Sequence, residues 1–115
     1  MEFVGKLVKK VQYSDVSQLL MGYIPQGSVM TSIEVLVDTA FNSSGTDLIQ
    51  VGTVADNDAF AANIDVSTAG KATVTMTAAA CDITTAPTAV YALYVPGTSG
   101  NDAGVATVVV TYAQI

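Results

Sequence analysis

Along most of this chain apolar and polar residues alternate with a period of two, the spacing of a strand with one buried face. "EFVGKLVKKV" sets Val4, Lys6, Val8 and Lys10 on one side and Phe3, Gly5, Leu7, Lys9 and Val11 on the other. "QYSDVS" reads as a turn in which Ser14 and Asp15 bond their own backbone. "SQLLMGYI" is a strand, and Pro25 and Gly27 of "PQG" turn the chain. "SVMTSIEVLVDTAF" is a long strand with Val29, Thr31, Ile33, Val35 and Val37 expected inward. Met30, Ser32, Glu34, Leu36 and Asp38 are then expected on a half-wet face. "NSSG" reads as a hairpin loop around Gly45, and "TDLIQVGT" as the returning strand, with Leu48 and either Ile49 or Val51 inward.

"ADNDAFAANID" breaks the alternation. Asp56 or Asp58 suits the cap of a single helical turn with Phe60 and Ile64 on its inner face. A turn at Gly70, a strand "KATVTMTA", an irregular "CDITTAPT" and a strand "AVYALYV" follow. "PGTSGNDAG" is the longest polar loop, and the β-branched "VATVVVTYAQI" closes the chain. Seven to eight strands, turns and one short helical turn predict an all-β chain. The expected architecture is an antiparallel β-sandwich, jelly-roll-like. Residues 1–11 are expected to be an N-terminal strand or docking arm, and 12–115 the sandwich domain.

Composition adds a requirement. Only 12% of the 115 residues are charged, half are hydrophobic, and the mean hydropathy is +0.48. An ordinary soluble domain carries about 25% charge. A folded chain of this mass exposes roughly 5,900 Å², so a monomer of this composition shows apolar patches, which mark interfaces. A homo-oligomer is expected. Residues 1–10 hold three of the four lysines and one Glu, a local charge of +2; the other 105 residues hold nine acids and Lys71, for −8. That body should repel nucleic acid and anionic lipid, so neither is an expected partner.

The chain contains no His, which removes Ser-His-Asp and Cys-His machinery and His metal ligands. No glycine loop ends in Gly-Lys-Ser/Thr before a helix. Asp56, Asn57 and Asp58 open like a calcium loop, but the sixth position is Ala61 instead of Gly and the twelfth is Ser67 instead of Glu. Capping of a turn accounts for these acids without a metal. Cys81 stands alone and reads as a small apolar residue. The lone thiol and the absence of an apolar leader at the start suit assembly in a reducing cytoplasm. No catalytic residue, cofactor or metal is expected.

One stretch carries a resemblance. "IPQGSVMTSIEVLVDTAFNSSGTDLIQVGTVADNDAFAANIDVSTAG", residues 24 to 70, resembles a pattern that recurs in small tailed-bacteriophage virion proteins of the head-decoration (cement) and head-fibre type. The elements are I-P-x-G-S, an alternating strand ending T-A-F-N, a polar loop, D-x-[LI]-x-V-G, an acidic D-x-D segment and S-T-A-G. The C-terminal "ATVVVTY" also fits. The resemblance implies a trimeric β-sandwich that binds a virion surface without catalysis, its partners being copies of itself and the major capsid protein or another virion protein. It implies a place in the virion, assembled in the host cytoplasm. A tail or fibre module that binds a receptor or glycan is the alternative. The partner-binding residues expected are Phe3, Val4, Lys6, Leu7, Lys9 and Lys10 from the N-terminal segment, with Met30, Leu36 and Ile49 from the long strands.

Overall fold

The structure is a computed structural model that describes residues 3–15, 17–97, 100 and 102–115; of Phe3 it describes the backbone alone. Eight strands follow one another among these residues. They are β1 (Phe3–Gln12), β2 (Leu19–Ile24), β3 (Ser28–Thr39), β4 (Leu48–Gly52), β5 (Ala61–Asp65), β6 (Gly70–Ala72), β7 (Thr88–Val95) and β8 (Val105–Gln114). The front sheet has the order β1-β8-β3-β6 and the back sheet β2-β7-β4-β5, every pair antiparallel.

The pairing has a simple logic. β1 pairs with β8, β2 with β7, β3 with β6 and β4 with β5. The chain is thus one long antiparallel ribbon. Folding that ribbon over itself adds the β3–β8 and β4–β7 ladders. This is the jelly-roll topology expected from strand spacing. β1 and β8 match over ten residues without a bulge, so the N-terminal segment is the edge strand of the front sheet.

One consequence corrects the reading of residues 24 to 52 as a hairpin. β3 lies in the front sheet and β4 in the back sheet, so "NSSG" arches between sheets. The turn at Gly27 (φ 80°) also crosses between sheets. Alternation tells which side of a strand is buried; it does not tell which strand lies alongside.

The core fills the space between the sheets, with Ile24, Ile33, Val35, Ile49, Val51, Ile64, Val90, Val108 and Val110 at 5% exposure or less. On β3 the inward set differs from the sequence expectation. Met30 pairs with Tyr112 and Ser32 with Thr111, so Thr31 is the extra residue of a bulge. The bulge reverses the side-chain phase. Met30 is therefore buried at 6% exposure, Thr31 is exposed and Val29 half-exposed, while Ile33, Val35 and Val37 point inward as expected.

The helical turn is also elsewhere. Residues 54–60 form turns, with Thr53 N–H donating to the Asp56 carbonyl at 2.8 Å and Asp58 N–H to the Asp56 carboxylate at 3.4 Å. Asp56 accepts from a turn and caps no helix. The 3-10 turn lies at Ala79–Cys81, where small residues let the chain coil tightly before β7. It buries Ala80 and leaves Cys81, read from sequence as a small apolar residue, exposed. Of the predicted strand "KATVTMTA", Lys71 and Ala72 pair with β3 and Met76 forms an isolated bridge to Ala61.

Candidate interaction surface

The outer face of the front sheet can be read row by row from its register. Val4, Ala113 and Val29 form one row; Lys6, Thr111 and Ser32 the next. Val8, Val109 and Glu34 follow, and then Lys10, Thr107, Leu36 and Lys71. Val4 is 64% and Val8 56% exposed, and Leu36 is exposed as well. Three of the four lysines therefore rise from this face among small β-branched residues. Lys71 pairs with Glu34 at 2.9 Å, whereas Lys6 and Lys10 stand on the edge strand, where no acidic side chain shares their rows.

The opposite face of β1 turns toward the core. Leu7 packs against it and Val11 is fully buried. Lys9 shares this side and is half-buried. An inward-pointing charge at a sheet edge discourages uncontrolled strand addition.

The outer face of the back sheet is apolar and aromatic. Tyr23 sits opposite Ala89, Leu20 opposite Tyr91, and Leu93 opposite Gln50. A bulge at Met21 lets Leu20 and Tyr23, three apart, share this face. Tyr23 is 60% exposed. Beyond Leu20 and Tyr91 the row reaches Gly52. A β-carbon on Gly52 would run into the Asp56 carbonyl oxygen and come within 2.6 Å of Asn57, so the β4–β5 loop folds back over this face. The Gln18 amide fixes it there by donating to the Thr53 carbonyl at 2.9 Å and to Asn57 Oδ1. Asp56 and Asp58, both exposed, are thus carried to the end of the Leu20–Tyr91 row. A hydrogen bond with Asp56, reinforced by its charge, holds the Asp58 carboxyl above the usual range.

At one end of the sandwich a buried polar cluster ties loops together. Asp47, 1% exposed, accepts from the Tyr94 hydroxyl at 2.6 Å and from the Ser43 hydroxyl. The Ser43 hydroxyl in turn accepts from Gly97 N–H at 2.7 Å. Tyr94 packs on Phe41 with ring centroids 4.6 Å apart. Asn42 binds the backbone N–H of Asp102 and Ala103, both at 3.0 Å. These contacts lock the arch to the β7–β8 loop. That loop's expected course over 98–104 falls partly outside the described residues, at Thr98, Ser99 and Asn101. Among the described residues no three acidic or thiol side chains converge as a metal site would require. A cleft of about 200 Å³ beside the 3-10 turn is lined by Met30, Phe60, Ala80, Ile83 and Thr84, and no titratable pair faces across it.

Of the partner-binding residues expected from sequence, Val4, Lys6, Lys10 and Leu36 come together on the front face. Leu7 and Lys9 lie on the inward side of β1. Met30 and Ile49 are corrections to the half-wet face assumed for them. Met30 is turned inward by the Thr31 bulge, and Ile49, 0% exposed, points into the core from a strand flanked on both sides. The side chain of Phe3 lies outside the described residues. Sequence reasoning missed Leu20 and Tyr23. The available signal was "LLMGYI" itself, apolar at nearly every position, which leaves apolar side chains on both faces of one strand.

No family model matches the chain, and no curated protein does. A solved structure does: a chain of the cyanophage Pam1 capsid asymmetric unit superposes with a TM-score of 0.74, covering 99% of this chain and 86% of that one. The two are 17% identical, so the likeness is one of fold.

Proposed function

We propose that this chain is a non-enzymatic structural protein of a bacteriophage virion, a decoration subunit that trimerises and binds the surface of the head. The observation that carries this reading is the fold likeness along the whole chain to a component of a phage capsid. Three features support it. The chain contains no His, so Ser-His-Asp and Cys-His machinery is missing from it. Both sheets carry apolar outer faces. The buried polar cluster at Asp47 and the Asn42 contacts tie loops together, and no titratable pair faces across the cleft beside the 3-10 turn. On the head, the partner would be the major capsid protein.

The test uses particles of the phage that encodes the chain, assembled without it, together with the purified protein. Co-sedimentation with heads that saturates at a fixed copy number is the expected result. Binding to isolated tails and not to heads would replace the decoration reading with that of a tail component.

A further inference from the structure

We infer that the long β1–β2 edge of the sandwich is the contact between copies in the proposed trimer: the Val4–Lys6–Val8–Lys10 strip of one copy packs on Leu20, Tyr23 and the neighbouring Asp56 and Asp58 of the next. The inference rests on the trimer reading and assigns its surface.

The two ends of the sheets are unequal. On one side the sandwich ends in β5 and β6, of five and three residues. On the other it ends in β1 and β2, of ten and six. β1 and β2 lie against each other there: a β-carbon on Gly22 would come within 2.8 Å of Leu7. The molecule's longest unpaired strand edges thus run side by side. Such edges need a cover.

The side chains bordering this edge are complementary. β1 presents apolar and basic residues in alternation, Val4, Lys6, Val8 and Lys10, all exposed. β2 presents Leu20 and Tyr23, and the folded-back loop adds two acids beside them. No basic residue stands on any strand of the back sheet. A lysine of a neighbouring copy arriving between Asp56 and Asp58 also relieves the crowding of those carboxyls. Nucleic acid fits poorly, since it would meet both acids beside the same edge.

The strips differ from one another, so the contact is heterologous, and such contacts form rings when the rotation closes. Both strips border the same edge. Turning that edge toward a common axis lets each copy offer its β1 strip to one neighbour and its β2 strip to the other. Inward Lys9 keeps β1 from extending as a continuous sheet, which leaves side-chain packing as the mode of contact.

The experiment compares wild type, Lys6→Glu/Lys10→Glu and Asp56→Lys/Asp58→Lys by light scattering and analytical ultracentrifugation. Circular dichroism confirms that each variant is folded. Wild type is expected at three times the 11.8 kDa chain mass. Each variant alone should associate at least about 100-fold more weakly, because like charges then face each other. Mixing the two variants should restore association only in part, because a ring of three built from two kinds of copy keeps one like-charged contact; a chain that carries all four reversals pairs opposite charges at every contact and should recover the trimer. Hydrogen exchange on wild type gives an independent reading that needs no variant. Amides along β1 and β2 should be protected in the trimer and lose protection on dilution. A monomeric wild type overturns the inference, including one that still binds heads, where the edge would belong to the capsid protein. Trimers that survive each reversal made on its own, or a trimer with freely exchanging β1 and β2 edges, also overturn it. A trimer held by this edge that ignores heads leaves the inference standing and removes the decoration reading.

Discussion

Asp47 illustrates how a single buried residue organises one end of the molecule. Its carboxylate is out of water, and the hydroxyls of Tyr94 and Ser43 supply the donors that water no longer provides. Tyr94→Phe keeps the ring packing on Phe41 and removes one donor. It should lower unfolding stability by about 1–3 kcal/mol, read from urea denaturation midpoints. Asp56 and Asp58 show the opposite situation, two exposed carboxyls held too close. Asp58 titrates high because it shares a hydrogen bond with Asp56 and feels its charge. Asp56→Asn removes that charge, so the Asp58 carboxyl should titrate lower, measured by NMR across the acid range. The sign for stability follows. A carboxyl whose folded pKa is raised disfavours the fold above that pKa and ceases to do so as pH falls through it. The variant should therefore lose this acid-side gain. None of this was legible in the sequence, where "DND" showed two acids but not the turn that presses them together.

At the scale of elements, alternation located the strands well, because a sandwich strand has one dry face and one wetter face. Turns were legible for a different reason. Gly27, Gly45 and Gly70 all adopt positive φ, where a side chain would strain the backbone. What alternation did not carry was partnership. The "NSSG" segment has the composition of a hairpin and instead bridges two sheets, since polar loop residues suit either connection. Bulges were equally hidden. Thr31 adds one residue and moves Met30 from the wet side to the core, with no mark in the local pattern. Gly52 makes a related point testable. No side chain fits there because the β4–β5 loop crosses directly above it. Gly52→Ala should lift residues 53–60, raise their amide exchange and cost about 1–3 kcal/mol, the usual penalty of overpacking. Unchanged exchange in that loop would show that it does not rest on β4.

For the whole molecule, the accessible surface is 5893 Å², what a compact monomer of this mass exposes. Compactness therefore does not hide the apolar excess, and among the large apolar residues that remain outside, Val4 and Val8 are brought together on β1 and Leu20 and Tyr23 on β2. Composition made the need for a partner legible; topology alone could show that Val4, Val8, Leu20 and Tyr23 border one edge. A thermodynamic consequence follows without any mutation. If folded chains associate in threes and unfolded chains do not, mass action stabilises the fold as concentration rises. Each tenfold increase adds roughly 1 kcal/mol per chain, which for a domain near 100 residues raises the Tm by about 3–6 °C. Melting curves between micromolar and hundred-micromolar protein should therefore shift upward with each step. They should shift less at high salt, because Lys6 and Lys10 interact across an exposed rim and are screened within about 10 Å at 0.1 M. A Tm constant over that range would mean that the chain unfolds as a monomer, and its apolar edge would then be covered only on the particle.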